Sequence, residues 1–571
     1  MNTVQSLATS ATANSSCKSL IVYNVRTLYD RPSINASREH VQFSLRKNIL
    51  EIPFEMKRYP IPMRRIELLI LLILLATIPI ARAAGPKDQP NIIFLMTDDQ
   101  RWDNMGCYGR PEFKTPNLDA LAEQGVIFDQ AFDTVAICMP SRVTMMTGRY
   151  ISSHRVGFVA PNDYTLSQAD FGQGYPAQLK NAGYRTGFIG KVGFTVSKEA
   201  KRPWAGVPYD YQGNMGNVFD FFAGAETTEE KALEVWPEND PKLQAIFKNK
   251  KKGESRTLRT GETILHFLDT QPEDQPFCLS VSFYAVKHDS NSHMYMPHYE
   301  LFKDYDFSVP DNWVEGANES LPQVVKDHAR GVYLHRDRTS TPALYQRQVR
   351  RFATQGYTVD QQVGRMMEKL KEMGQLENTV IIYTSDNGRF QGSHGLFDKC
   401  ILYEEAVKAP LIVYDGRMDA SKRGRREEAL ISSVDMAPTI LSLAGLEQPK
   451  IMQGRDFSGV LNQTQDMSSW RDAVLIENLF LVSMFNAKNK PNALEINQGV
   501  IDRNESYRSR GVRTDRYKYF VYYEHNPPIE ELYDIEKDPQ EQNNLVNNPE
   551  YAEPLKKLRK RTEELYSEAV Q

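Results

Sequence analysis

Alternating amphipathic helices and buried strands over residues 89–462 predict an α/β fold, a large mostly parallel sheet sandwiched by helices; a smaller antiparallel sheet with a helix is predicted over 463–571. Two observations carry the larger prediction. Short branched, apolar runs such as "NIIFLM" and "TVIIYTS" show no polar alternation, as expected of strands buried on both faces. Segments such as "YTVDQQVGRMMEKLKEMG" carry apolar residues at helical spacing directly before such runs. The smaller unit follows from a change of pattern near 465, where strand-like "AVLIEN" and "YRSRGVRTDRYKYFVYY" precede a helix over about 549–568.

In chain order, residues 1–62 form a polar extension expected to be unstructured or absent from the natural product, with synthesis starting at Met63. "MRRIELLILLILLATIPIARAAG" then reads as a signal peptide over 63–83: Arg64 and Arg65, an apolar run over 68–80, and the small-x-small pattern Ala81-Arg82-Ala83. The run is shorter than the roughly 20 residues a spanning helix needs, so cleavage and a periplasmic or secreted product without a stable membrane anchor are expected.

"NIIFLM" is the first strand and ends in "TDDQ"; "PNLDALAEQG" is a helix with Asn117 as its cap and Gly125 as its stop. "YPAQLKNAG" leads into the strand "RTGFIG" and Lys191, and "GETILHFLDTQ" into "FCLSVSFYA" and then Lys287-His288. Residues 200–262, with "KNKKKGESR", have weak periodicity and read as an insertion on the substrate face, and 289–345 read as loop.

Among 571 residues, a net charge of -4 supplies no basic field, which excludes nucleic acid as an expected partner. The five cysteines include no CxxC pair, too few and too scattered for a disulfide framework or structural zinc.

In open α/β sheets ligands collect at the carboxyl ends of the strands, and that is where Asp98, Asp99, Lys191, His288, Asp386 and Asn387 fall. Three carboxylates in one crevice repel unless a cation neutralises them, and oxygen-only ligation favours Ca²⁺, then Mg²⁺, over Zn²⁺. In "VAICMPSRVTMMTGRY", Cys138 lies at a predicted helix start with Pro140 in the first turn, facing free N–H groups. That position suits a core thiol, a thiolate nucleophile or a modified residue. A phosphatase-style cysteine loop needs an arginine six positions on, and that position is Thr144.

These segments resemble the formylglycine-dependent sulfatases, whose fold is alkaline-phosphatase-like. The defining pattern CxPSR followed by TGR stands here as "CMPSR" at 138–142 and "TGR" at 147–149. The likeness continues through "YRTGFIGK", "YTSDNG", "HGLFDKCILYEEAVKAPLIV" and "ELYDIEKDPQEQNNL". It implies that a maturation enzyme oxidises Cys138 to formylglycine, whose hydrate attacks sulfur and ligates Ca²⁺ together with Asp98, Asp99, Asp386 and Asn387. Arg142 would stabilise the hydrate, Lys191 and Lys399 the sulfuryl oxygens, and His288 would protonate the leaving alcohol, with His293, His298 and His394 as alternatives. His394 is also implied as a substrate contact, and the implied substrate is a sulfated carbohydrate. The alternatives are a phosphonate or phosphate monoester hydrolase on the same scaffold, or an impaired glycan-binding homologue.

One departure stands out. The family commonly has a histidine two residues after the lysine matching Lys191, where this chain has Gly193. That histidine is the implied base for collapse of the sulfated hemiacetal. Its absence implies slow breakdown with a burst of alcohol, and Gly193→His should speed it if the backbone accepts the side chain.

Overall fold

The computed structural model describes residues 89–157, 164–198, 210–225, 233–248, 255–287, 294–314, 316–481 and 493–571. The expected extension, the signal segment, His288 and His293 lie outside them. Nine strands form the main sheet: β1 (Asn91–Thr97), β2 (Val126–Phe128), β3 (Arg185–Lys191), β4 (Phe221–Ala225), β5 (Glu234–Trp236), β6 (Phe277–Ser282), β7 (Thr379–Ser385), β8 (Leu411–Asp415) and β9 (Arg425–Glu427). Their order is β9-β2-β8-β7-β1-β6-β3-β4-β5.

The centre, β7-β1-β6-β3-β4, is wholly parallel, with Asn91 opposite Thr379 and Thr97 opposite Ser385. Strands β8 and β5 run antiparallel to their neighbours β7 and β4. Successive side chains of β1 point to opposite faces. Ile92, Phe94 and Met96 enter one apolar core and Ile93 and Leu95 another, which is why the run shows no polar alternation.

The first core is covered by α2 (Cys138–Thr147), α3 (Tyr175–Asn181) and α6 (Met436–Leu443), the second by α1 (Pro116–Glu123), α4 (Arg256–Asp269) and α5 (Pro342–Glu372). Thr341 caps α5, its side chain accepting from the N–H of Leu344, with Pro342 in the first turn. At α1 the N-cap is Thr115 rather than Asn117, because Pro116 already fits the first helical position. Asn117 instead donates to Asp360 on α5, whose carboxylate takes the free N–H groups of Asn117 and Leu118 at 2.9 and 2.8 Å. One helix thus caps another, and the buried Leu118 and Leu121 between them fix the packing. Truncating Leu118 to alanine would cost about 2–5 kcal/mol.

Residues 200–262 depart from the expected insertion: β4 and β5 extend the main sheet and α4 begins at Arg256. Phe221 and Phe222 bury opposite faces, and Phe222 stacks on Trp236 at 4.0 Å between ring centroids. Two-faced burial in a strand of five residues leaves no periodicity to detect. Within 289–345, expected as loop, lie helices Met296–Tyr299, Gln323–His328 and Arg330–Arg338.

The C-terminal sheet is antiparallel in the order β10 (Ala473–Asn478), β11 (Ser509–Thr514), β12 (Tyr517–Tyr522), β13 (Ile529–Asp534), with α7 (Ala552–Ala569) laying Leu555 and Leu558 against Val512, Tyr519 and Leu532. It is tied to the main unit by polar groups. Tyr403 donates to Glu531 at 2.6 Å, and Arg513 and Lys518 both meet Glu404 at 3.1 Å.

Candidate active site

Strand ends deliver the first part of the site. Asp98 and Asp99 follow β1, and Asp386 and Asn387 follow β7, the N–H of Asp386 donating to the carbonyl of Thr97 at 3.0 Å. The N–H of Asp98 donates to Ala285, and Asp98 accepts from Val286, which sews in the chain beyond β6. Asp99 has φ +64, a left-handed conformation that aspartate tolerates better than bulky residues. Its N–H donates to Asp386 Oδ1 at 3.0 Å.

Carboxylate oxygens of Asp98, Asp99 and Asp386 all lie within 4.8 Å of one another, buried. Asn387 joins them, its Nδ2 donating to Asp99 Oδ1 at 2.8 Å. A hard divalent cation suits this all-oxygen donor set, so the residues present fit the group implied by the sequence.

Five cations surround the three carboxylates. Arg142 is held in a fork on Asp386 at 2.9 and 2.6 Å and lies 3.5 Å from Asp98; it also donates to the carbonyl of Lys191 at 2.8 Å and to the hydroxyl of Ser282. Lys191 Nζ sits 2.5 Å from Asp98 Oδ2. Lys399 pairs with Asp99 and donates to Asn387 Oδ1 at 3.0 Å, and Arg389 pairs with the other oxygen of Asp99. Lys287 lies 3.3 Å from Asp98 and 3.9 Å from Asp99.

The sequence leads to the expectation that three carboxylates in one crevice need a neutralising cation, and lysine and arginine side chains supply positive charge there. Burial would raise the carboxyl groups of Asp98 and Asp99. Lys191 and Lys287 at the first, and Lys287, Lys399 and Arg389 at the second, overcome it and hold both below the usual range.

Cys138 is the first residue of α2, Ile137 is the N-cap, and Pro140 falls in the first turn. Burial would push its thiol up, but Lys191, Lys399 and Lys287 outweigh that and hold it below the ordinary value. Arg142, one turn along the same helix, thus links Cys138 to the carboxylates.

The structure therefore brings together Cys138, Arg142, Lys191, Lys399, Asp98, Asp99, Asp386 and Asn387. It adds Lys287 and Arg389, which sequence reasoning missed although both follow strand ends. His394, the expected substrate contact, is held by Glu405 and Tyr403. It is buried at φ +56, its Nε2 3.5 Å from Glu405 Oε2 and its ring 4.6 Å from that of Tyr403. Burial opposes its protonation, Glu405 favours it, and the balance raises its pKa. His298 bonds Thr358 on α5 at 2.9 Å.

Gly193 has φ +78, and a Cβ there would stand 3.0 Å from Cδ of Arg142. The backbone therefore does not readily accept a histidine. A separate cavity of 490 Å³, lined among others by Arg101, Trp102, Lys408 and Arg513, contains none of the cluster residues. The strand-end chemistry, rather than cavity size, marks the site.

Comparisons with known proteins agree with this geometry. The sulfatase family model matches residues 90–446, and that of the N-sulphoglucosamine sulphohydrolase C-terminal region matches 501–568. An N-acetylglucosamine-6-O-sulfatase of Bacteroides thetaiotaomicron is 28% identical, over 86% of this chain and 90% of its own. An arylsulfatase of Clostridium perfringens is 25% identical, over 83% and 93%. A structure in complex with its substrate D-glucosamine-2-N,6-O-disulfate superposes with a TM-score of 0.67 at 25% identity, covering 84% of this chain and 98% of the other. The phosphonate monoester hydrolase of Agrobacterium radiobacter shares the fold with a TM-score of 0.59 at 21% identity, over 84% and 96%. With its family model spanning the main sheet and the cysteine helix, the chain belongs to the sulfatase family of sulfuric ester hydrolases.

Proposed function

We propose that the protein is an exported glycan sulfatase that removes sulfate from an amino-sugar residue, using a formylglycine made from Cys138 and Ca²⁺ held by Asp98, Asp99, Asp386 and Asn387. The observation that carries this reading is the placement of Cys138 at a buried helix start among Lys191, Lys399 and Lys287, beside the three clustered carboxylates. The amino-sugar comes from the relatives: one is named for N-acetylglucosamine 6-O-sulfate, and one solved structure holds a sulfated glucosamine.

Oxidised to formylglycine by a maturation enzyme, residue 138 would supply a hydrated aldehyde as nucleophile, and the cation would polarise a sulfate oxygen. This chain's own residues do the rest. Arg142, locked by Asp386 and the carbonyl of Lys191, holds a fixed positive charge beside residue 138. Lys191 and Lys399, 5% and 8% exposed, meet negative charge on the sulfuryl oxygens from buried positions, where such charges act more strongly than in water. His288, which directly follows Lys287 in the sequence, is the acid for the leaving alcohol. Export rests on the signal-like segment at 63–83, and no helix among the described residues is long and apolar enough to cross a membrane.

The test is sulfate release from N-acetylglucosamine 6-sulfate, other defined sulfated mono- and disaccharides, and a phosphonate monoester, using protein co-produced with a maturation enzyme. Preferential release from the amino-sugar esters is expected. Faster hydrolysis of the phosphonate, or no turnover of any sulfated sugar by protein carrying the aldehyde, would overturn the reading.

A further inference from the structure

Three of the five cations in the cluster have a second partner besides one of its carboxylates, and Lys191 is held by one short, buried contact. Arg142 holds Asp386 and also donates to the carbonyl of Lys191 at 2.8 Å. Lys399 bonds Asn387 as well as Asp99. Arg389 lies against Asp398 at 3.5 Å and over the Phe397 ring at 4.8 Å. Lys191 ends β3 and touches Asp98 at 2.5 Å.

Lys287 differs from the other two lysines in three respects. Its contacts, at 3.3 and 3.9 Å, are longer than those of Lys191 and Lys399. They reach one oxygen from each of two carboxylates, Asp98 Oδ1 and Asp99 Oδ2. Its side chain is 23% exposed, against 5% for Lys191 and 8% for Lys399. It is the cation best able to leave for solvent.

A divalent ion held by Asp98, Asp99 and Asp386 takes up the negative charge that Lys287 neutralises, and a second positive centre a few ångströms away is repelled. We propose that Lys287 is an internal competitor for the metal: its ammonium occupies Asp98 and Asp99 in the metal-free protein and must give them up for the cation to bind. This inference rests on the cation site of the proposed function. Its consequence is a protein that keeps its fold when stripped of metal, at the cost of weaker metal affinity.

Calorimetric titration of Ca²⁺ into chelator-stripped full-length protein, at fixed ionic strength, tests it with wild type, Lys287→Met, Lys287→Gln and Asp98→Asn. Removing the competing charge is expected to tighten Ca²⁺ binding by about tenfold or more in both Lys287 variants. Stripped Lys287→Met should also melt below stripped wild type and gain more from added Ca²⁺. Wild-type or weaker affinity in the Lys287 variants that remain folded would overturn the proposal. If Asp98→Asn abolishes binding while the Lys287 variants match wild type, only the role of Lys287 fails. If no variant binds Ca²⁺, or Asp98→Asn binds as well as wild type, the cation site itself fails, and the inference with it.

Discussion

Replacing Arg142 by methionine removes one positive charge from a pocket in which Asp386 and Asp98 are both buried. The guanidinium is 1% exposed and lies 2.6 Å from Asp386 and 3.5 Å from Asp98, and it also satisfies the carbonyl of Lys191. Breaking one side of such a buried pair costs about 3–5 kcal/mol, because the partner charge stays behind without compensation. For a folded unit of roughly 490 residues, the unfolding entropy near 60 °C is about 1 kcal/mol per kelvin, so the melting temperature should fall by about 3–5 °C. The fall should be larger in chelator than in Ca²⁺, since a bound cation would take over part of the neutralisation. Differential scanning fluorimetry of wild type and Arg142→Met, each with Ca²⁺ and with chelator, measures all four values. Equal melting temperatures in chelator would refute the claim that Arg142 neutralises Asp386 and Asp98.

Three further outcomes are expected. Cys138→Ala should abolish turnover with the fold intact, and mass spectrometry of the peptide spanning Cys138 in active protein should show the aldehyde; a free thiol in fully active enzyme would contradict it. Gly193→His should lower stability by about 1–2 kcal/mol through its φ of +78 and crowd Arg142, so turnover should drop rather than rise. Gly193→Ala separates backbone strain from the imidazole, and a faster steady state in Gly193→His would refute the steric argument. Burial pushes the Asp360 carboxyl up to about 6, against the pull of the Leu118 and Asn117 hydrogen bonds. A raised carboxyl favours the fold when protonated, so this contribution is full below about pH 4 and lost as pH rises through 6, by about 3 kcal/mol. Asp360→Asn should therefore flatten the fall in melting temperature between pH 4.5 and 7; an unchanged slope would refute the assignment.

The central strands were legible because burial on both faces leaves one chemical signature, a mostly apolar run without charged residues, and β1, β6 and β7 are buried along all of their six or seven residues. Strands β4 and β5, at one end of the sheet, were not, being five and three residues long. The pairing that defines β4, in register with β3 from Gly187 to Lys191, is a tertiary fact. The cap of α1 was misplaced for a similar reason. Asn117 fits a local capping pattern, yet its partner Asp360 lies 243 residues away on α5. Local chemistry proposes caps, and tertiary packing chooses among them.

The site divides along the same line. Asp98, Asp99, Lys191, Asp386 and Asn387 were visible because strand ends in a parallel sheet face one crevice, and Cys138 because a helix start with an early proline has a local signature. Lys287 and Arg389 also follow strand ends, but five and four residues beyond them, and they are two of 69 lysines and arginines. Their partners lie 189 and 290 residues away. That asymmetry has a physical origin. A carboxylate cluster can be suspected from acidic residues alone, because burying like charges demands a remedy, but the remedy can be a metal or a ring of cations. Here the fold supplies the cations first. The task of the proposed cation would then be chemical rather than structural, and stripping it should cost activity well before it costs the fold.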